Sequence, residues 1–127
     1  MNELTESRDT KHRSYAMSIP ESGKKKLTGL LGFAARARKL ICGTDLCRDE
    51  IRRGKLSFVL VASDASDNTK KRIADACKYY EAQLCCIPLT AGELSHMIGK
   101  SANITVVGVT DINFINGMAA LAVGNTH

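Results

Sequence analysis

This chain is most informative at residues 43–62, which read GTDLCRDEIRRGKLSFVLVA. Gly43 permits close approach of the backbone, and Cys47 and Ile51 have the i, i+4 spacing of one buried helix face. The helix should end at the next glycine, and the apolar run at residues 58–62 predicts a buried strand. The first turn of a helix leaves N–H groups unpaired, and arginines lie nearby, so this segment favours a polyanionic ligand.

Helices and apolar strands alternate along the rest of the chain. Helical spacing of apolar residues predicts helices over residues 25–38, 67–80, 91–98 and 112–123. Short apolar runs predict strands over residues 84–87 and 104–109, and Ser66 and Asp111 should cap two of the helices. We therefore predict an α/β fold, a three-layer α/β/α sandwich in which helices cover both faces of a central mixed sheet.

The domain organisation follows from polarity and length. Residues 1–23 are polar and show no sustained periodicity, so we expect a flexible tail there, followed by a single domain at residues 24–127. Tyr80 should share a buried helix face with Ile73 and Cys77. The core should contain seven apolar side chains from the predicted elements, namely Leu30, Ile51, Val59, Val61, Ile73, Val107 and Val109.

Positive charge is concentrated in one part of the chain. The formal net charge is +5, whereas residues 24–55 alone contain ten Lys or Arg and three Asp or Glu, a net charge of +7. Such clustering suits nucleic acid. The five cysteines form no pattern typical of a disulfide framework and no apolar leader is visible, so we expect a cytoplasmic protein. No apolar run approaches the about 18 residues of a membrane span, so we expect no membrane role.

Catalytic, metal and cofactor sites are not indicated. Cys85 and Cys86 are adjacent in a predicted strand and point to opposite faces, while Cys42 and Cys47 have no zinc-ligand spacing. Asp64 follows a buried strand, as catalytic acids often do, but neither His nor a second carboxylate lies near it in sequence, which favours capping. We expect no metal, no cofactor and no enzymatic activity, and an enzyme that uses Asp64 or a cysteine is the third hypothesis considered.

Five segments, in this order, resemble one protein family. They are LLGFAARARKL at residues 30–40, Gly43, IRRGK at 51–55, VASDAS at 61–66 and IGK at 98–100. Together they are similar to the ribosomal proteins that bind kink-turns, the L7Ae/L30e superfamily, in its bacterial YlxQ-like branch. The resemblance covers about residues 25–121. It implies an L30e-like sandwich that is cytoplasmic and non-catalytic and binds structured RNA, either kink-turn-like or ribosomal. We also expect a monomer that associates with ribosomes.

The family resemblance also implies which residues contact RNA. The contact helix of the family begins Gly-x-Asn-Glu-x-x-Lys, whose polar side chains approach the tandem G·A pairs of a kinked RNA. Gly43 and Thr44 match this start, but Asp45 replaces the Asn, Leu46 the Glu and Asp49 the Lys. An Asp lacks the amide donor, and Asp49 puts a negative charge where a cation would meet phosphate. The loop after a central strand, here residues 88–91, is the second implied contact.

Fifteen residues form the candidate RNA-binding surface. They are Arg36, Arg38, Lys39, Gly43, Thr44, Asp45, Leu46, Arg48, Asp49, Arg52, Arg53, Pro88, Leu89, Thr90 and Ala91. For the six cations, phosphate contact and a solvated cationic helix face stay open as alternatives. Lys70, Lys71 and Arg72 are assigned to a solvated face and are left out of the site.

The competing function class is a protein-interaction module. Such a module would have the same fold but would no longer recognise the bases of kink-turns. The apolar Leu46 on the expected binding face motivates this hypothesis. The response to salt separates the two classes, because phosphate contacts weaken with ionic strength whereas apolar protein contacts respond little.

Overall fold

The computed structural model describes residues 16–124. Within this range the strands are β1 (Ala16–Ser18), β2 (Leu40–Cys42), β3 (Phe58–Val61), β4 (Gln83–Cys86), β5 (Val106–Val109) and β6 (Val123–Gly124). The α-helices of the same range are α1 (Lys24–Arg36), α2 (Thr44–Arg52), α3 (Asp67–Tyr79), α4 (Ala91–Met97) and α5 (Ile112–Ala119). A single 3₁₀ turn, Glu21–Gly23, precedes α1.

The strands form one mixed sheet in the order β2-β5-β3-β4-β1-β6. β4 pairs in parallel with β3 and β1, whereas β5 pairs antiparallel with β3 and β2, and β6 antiparallel with β1. Side chains of β3 alternate between two apolar clusters, with Phe58 and Leu60 in one and Val59 and Val61 in the other. This alternation places part of the core on each face of the sheet.

Helices cover both faces of this sheet. The first cluster contains Leu31 of α1, Leu94 of α4 and Met118 of α5, whereas the second contains Ile51 of α2 and Ile73 of α3. The predicted α/β/α sandwich with a central mixed sheet is therefore confirmed. None of the helices within residues 16–124 is long and apolar enough to cross a membrane.

Local signals for the ends of the helices are also confirmed. The hydroxyl of Ser66 accepts a hydrogen bond from Thr69 N at 3.1 Å, and the Asp111 carboxylate accepts one from Asn113 N at 2.8 Å. Gly54 (φ 75°) and Gly99 (φ 76°) follow α2 and α4 in the left-handed region. These caps fix where α2 and α4 stop, and so where the loops that follow them begin.

The predicted tail over residues 1–23 is wrong for residues 16–23. β1 pairs with β4, Ile19 N donates to Cys86 O at 2.9 Å, and the Ile19 side chain is buried. Because β1 has three residues, its stability depends on pairing with distant strands and its own sequence carries no periodicity. Residues 1–15 of the predicted tail lie outside the described part of the chain.

Three other predictions need correction. The last helix ends at Ala119 instead of continuing to residue 123, and residues 123–124 form β6 against β1. Leu30 is half-buried at the side of α1, whereas the other six predicted core residues are buried. Tyr80 follows the last residue of α3 and is 41% exposed, because the helix has ended and no longer directs it inward.

Candidate nucleic-acid interface

One edge of the sheet carries the start of α2 together with several loops. Gly43 follows β2, and its N–H donates to Val106 O at 2.9 Å, at the beginning of β5. Next to it, Ala62 N donates to Thr105 O at 2.8 Å, just after the end of β3. Because β4 is parallel to β3, the loop after β4 lies at the same edge. The strand order puts the segment that precedes β5 directly beside Gly43.

The N-terminus of α2 is open. Gly43 has φ 105° and ψ 146°, a conformation that other residues rarely adopt, although a Cβ there would meet no atom within 4 Å. No side chain accepts a hydrogen bond from the first turn of α2 within the described residues. The free N–H groups and the helix dipole therefore present partial positive charge that an anion can bind.

A cavity of about 340 Å³ extends to Cys42, the residue that precedes Gly43. Its lining is part cationic and part apolar, and consists of Ala35, Arg38, Leu40, Cys42, Ile98, Gly99 and Lys100. Burial raises the pKa of the Cys42 thiol, and the charge of Lys100 partly offsets this effect. A cavity lined by two cations, Arg38 and Lys100, and by apolar side chains suits a nucleobase and its neighbouring phosphates.

Arg38 enters the cavity from a strained backbone position. It has φ 60° just after α1, where its N–H donates to Ala35 O at 3.1 Å and Lys39 N donates to Ala34 O at 2.9 Å. This is the hydrogen-bonding pattern of a helix end that usually contains glycine. The left-handed backbone costs an L residue about 1–2 kcal/mol. An arginine at this position therefore places a cation beside the cavity, but it lowers the stability of the folded state.

The loop at residues 99–103 belongs to this surface, and the sequence interpretation missed it. The loop is exposed, and Lys100 N donates to Ser95 O at 2.8 Å, which fixes its first residues to α4. Ile104 N donates to the hydroxyl of Ser95 at 2.8 Å, which fixes its last residues. The IGK segment at residues 98–100 was the available signal, but only the strand order shows that it lies beside Gly43.

Residues 88–91 lie elsewhere on the same edge. β5 and β3 separate β4 from β2, three strand spacings or roughly 14 Å. Leu89 and Ala91 are buried, and Ala91 N donates to the Asp64 carboxylate at 2.8 Å, which confirms capping for Asp64. Thr90 and Glu93 form a capping box. The structure thus keeps the predicted loop contact apart from Gly43, and RNA contact by these residues stays a prediction.

The predicted cations fall into separate places. Arg38 and Lys39 lie at the end of α1 near the cavity, whereas the Arg36 guanidinium lies 4.9 Å from the centroid of the Phe33 ring. Arg53 follows the far end of α2, roughly 13 Å along the helix from its start, and pairs with Glu50 at 3.6 Å. Two further cations line a groove between α2 and α3, namely Arg48 and Arg52.

Thiol and metal chemistry have little support here. All five cysteines are free, and burial raises the pKa values of Cys47, Cys77 and Cys85 to about 12, so these thiols are protonated at neutral pH. Among residues 16–124, no group of three or more His, Cys, Asp or Glu is placed to hold a metal ion.

The profile of the Ribosomal protein L7Ae/L30e/S12e/Gadd45 family matches residues 25–118. The chain belongs to this family. RNA-binding protein YlxQ of Bacillus subtilis (strain 168) is 44% identical over 92 residues, which are 72% of this chain and 90% of that protein. RNA-binding protein YlxQ of Enterococcus faecium is 42% identical over 94 residues, 74% of this chain and 88% of that protein. The recognition made from the sequence, including the YlxQ-like branch, is confirmed.

Two solved structures resemble this L7Ae-family chain. A protein with unknown function from Bacillus halodurans C has a TM-score of 0.69 and 35% identity, over 76% of this chain and 95% of that one. The 15.5kD RNA binding protein of Giardia lamblia has a TM-score of 0.65 over 80% of this chain and 86% of that one, but at 19% identity it supports the fold alone. The family and the YlxQ relatives point to a non-enzymatic protein, in agreement with the sequence.

The acids that depart from the contact motif of this L7Ae-family protein have local partners. Arg72 Nη2 lies 3.3 Å from Asp45 Oδ1, and Arg52 Nη2 lies 2.7 Å from Asp49 Oδ1. Each pairing offsets the negative charge that a phosphate would otherwise meet. Leu46, the third altered position, is 58% exposed. The surface around Gly43 therefore stays suited to an anion despite the two carboxylates.

Proposed function

We propose that this protein binds structured RNA at the open N-terminus of α2. The observation that supports the proposal most directly is the uncapped first turn after Gly43, beside a cavity with Arg38 and Lys100 in its lining. Both bacterial relatives are RNA-binding proteins by name, and the family is one of ribosomal proteins. Phosphates would meet the free N–H groups and the cations, while one base would occupy the cavity.

The RNA class that we propose is a kink-turn-like or ribosomal element. Gly43 and Thr44 match the start of the family contact helix, which supports a shared position for the RNA. Base readout must differ, because Asp45, Leu46 and Asp49 cannot repeat the contacts of Asn, Glu and Lys. A ribosomal RNA target, ribosome association, a cytoplasmic location and a monomeric state stay predictions.

The alternative is a protein-interaction module on this fold. Leu46, on the first turn of α2, is 58% exposed, and an exposed apolar side chain at a binding surface suits a protein partner. The two functions differ in their response to salt, since RNA affinity falls steeply with ionic strength whereas apolar protein contact changes little.

Substitution of Gly43 tests the proposal. In Gly43→Ala the backbone at φ 105° is strained by about 1–3 kcal/mol, so the first turn should shift. We expect at least about a tenfold loss of affinity for a kink-turn RNA in gel-shift titrations, since a tenfold change corresponds to about 1.4 kcal/mol. Thermal melting would verify that the variant is folded under the assay conditions.

The matched control is Gly29→Ala. Gly29 lies in α1, is exposed, and a Cβ there would meet no atom within 4 Å, so this variant should bind RNA like the native protein. Equal kink-turn affinity of folded Gly43→Ala and the native protein would contradict RNA binding at this helix terminus. If the affinity of the native protein for the kink-turn RNA did not change with salt concentration, the protein-interaction module would be favoured instead.

A further inference from the structure

A second concave surface lies between α2 and α3. It encloses about 400 Å³, and its lining includes Arg48, Arg52, Arg72, Asp75, Tyr79 and Tyr80. The cavity beside Gly43 is lined by other residues, so the two surfaces are separate. Neither the core nor the proposed RNA contact at Gly43 uses the tyrosines of this groove. We refer to it as the α2–α3 groove.

The groove ends in two exposed aromatic rings. Tyr79 is 79% exposed and Tyr80 is 41% exposed, and their ring centroids lie 4.7 Å apart with an interplanar angle of 77°. The edge-to-face arrangement holds the two rings in a defined mutual orientation. An exposed ring on a rigid helix end offers a flat apolar face on which a nucleic-acid base can stack.

Three arginines supply positive charge along the same groove. Arg52 and Arg72 each donate one hydrogen bond to a carboxylate, at 2.7 Å and 3.3 Å respectively. A guanidinium has five N–H donors, so most donors of both residues stay available for phosphate oxygens. Arg48 forms no ion pair with any residue of the described range. Asp75 in the lining and the paired acids Asp45 and Asp49 oppose these three cations, so Arg48 is the arginine of the groove that no ion pair within residues 16–124 offsets.

The groove is continuous with the start of α2. The Asp45–Arg72 pair joins the first turn of α2 to α3, and the segment from Asp45 to Arg52 spans roughly 10 Å at 1.5 Å per residue. Stacked nucleotides of one strand are spaced about 3.4 Å apart, so about three nucleotides match this length. A strand that leaves an RNA bound at Gly43 towards α3 therefore meets the α2–α3 groove next.

We propose that the α2–α3 groove binds a single-stranded RNA segment that continues from the structured RNA at Gly43. This proposal rests on the proposed function for the position of the structured RNA. In the groove, Arg48, Arg52 and Arg72 contact phosphates, and a base stacks on Tyr79. Stacking on tyrosine tolerates any base, so this segment adds affinity without strict sequence preference. An acidic peptide would use the same cations, but it would leave the continuity with Gly43 and the exposed ring without a role.

The experiment measures the binding of three labelled RNAs and of a labelled acidic peptide by fluorescence anisotropy. The RNAs are a kink-turn with blunt ends, the same kink-turn with about four unpaired nucleotides at either end, and a free oligouridine of about twelve nucleotides. The chain has no tryptophan and three tyrosines, two of which line the groove, so quenching of tyrosine fluorescence that is lost in Tyr79→Ala is a second readout. The protein variants are Tyr79→Ala, Tyr79→Phe and Arg48→Ala, with Lys78→Ala as the control, because Lys78 is the exposed neighbour of Tyr79 outside the groove lining.

We expect Tyr79→Ala to weaken binding of the oligouridine and of the extended RNA by about fivefold to 150-fold, the range for one base stacked on an aromatic ring. Tyr79→Phe should retain native affinity, because the ring is kept. Arg48→Ala should weaken both probes, whereas Lys78→Ala should have a smaller effect. Blunt kink-turn RNA should bind Tyr79→Ala, Tyr79→Phe and Lys78→Ala like the native protein.

Failure of this proposal is distinguishable from failure of the proposed function. If blunt kink-turn RNA binds but the extension adds nothing and Tyr79→Ala has no effect, the groove proposal is overturned alone. If the oligouridine binds through Tyr79 but no kink-turn binds, the groove stands as a single-strand site and the structured-RNA proposal fails. Binding of an acidic peptide but not of oligouridine to the groove would overturn the RNA proposal and assign the surface to a protein partner.

Discussion

Helices α2 and α4 begin at the same edge of the sheet, but their N-termini differ. The first turn of α2 follows Gly43 and receives no side-chain cap within the described residues. The first turn of α4 is closed by Thr90 and Glu93, which cap each other's backbone N–H, and by Asp64, which accepts from Ala91 N. A helix dipole is common to both, so the dipole alone does not distinguish a ligand site from a structural one. The two termini differ instead in their first-turn N–H groups, which no side chain within the described residues accepts from in α2 but which side chains cap in α4.

The side chains around the two termini show the same contrast. Near α2 the cavity has Arg38 and Lys100 in its lining, whereas the loop before α4 directs Leu89 into the core. A terminus whose loop is held by buried apolar groups has little freedom to adapt to a ligand. We therefore expect changes near α4 to alter stability and changes near α2 to alter RNA affinity.

The largest expected effect is on stability, in Leu89→Ala. Leu89 is 1% exposed, and removal of such a side chain costs about 2–5 kcal/mol. Urea denaturation should show this loss, while RNA affinity of the folded variant should equal that of the native protein. The matched substitution Leu46→Ala, at a 58% exposed position, should change stability by no more than about 0.5 kcal/mol. Lower RNA affinity of folded Leu89→Ala would instead place residues 88–91 in the interface.

The next largest effect is on RNA affinity, in Arg38→Gly. Loss of a hydrogen bond to a charged group costs about 1.5–3 kcal/mol, so affinity should fall by about tenfold to 150-fold. Glycine relieves the left-handed backbone at φ 60°, so thermal stability should be equal or higher, which excludes unfolding as the cause. Arg53→Gly is the control, because Arg53 lies at the other end of α2 and pairs with Glu50. Equal losses in the two variants would indicate a general charge effect with no defined contact at the cavity.

Local patterns in the sequence were sufficient to predict most helices and strands of the sandwich. The i, i+4 spacing of Cys47 and Ile51 and the cap at Ser66 depend on neighbours within one helix, so the sequence shows them directly. β1, β2 and β6 were missed because each is stabilised by a partner distant in sequence, as in the pairing of Met17 with Gly124 and of Leu40 with Val109. A strand of two or three residues has no periodicity of its own to detect.

The candidate site was predicted less completely, for a related reason. The start of α2 was identified from Gly43 and its arginines, which are local features. That Lys100 lies beside this start depends on β5 being the neighbour of β2, and strand order cannot be read from a local pattern. Tyr79 was missed because the exposure of both tyrosines depends on α3 ending at Tyr79. The end of a helix is uncertain by a few residues when it is predicted from sequence.

The smallest effect expected is the pH dependence of the closed terminus of α4. A hydrogen bond from the backbone N–H of Thr90, with further help from the ammonium of Lys24, lowers the pKa of Glu93 from its ordinary value of 4.5. The folded state therefore favours ionised Glu93, so this contribution to stability is present above pH 4.5 and disappears as pH falls through the lowered pKa.

Glu93→Gln retains an acceptor for Thr90 N but removes the charge. Urea denaturation at several pH values should show a small loss of stability relative to the native protein at neutral pH that vanishes in acid. Glu21→Gln, which removes an acid from the 3₁₀ turn, serves as the control for the change in net charge. If the native protein and Glu93→Gln differ in stability by the same amount at neutral and acid pH, the charge of the Glu93 carboxylate does not stabilise the N-terminus of α4. The contrast with α2 would then depend on the capping hydrogen bonds alone.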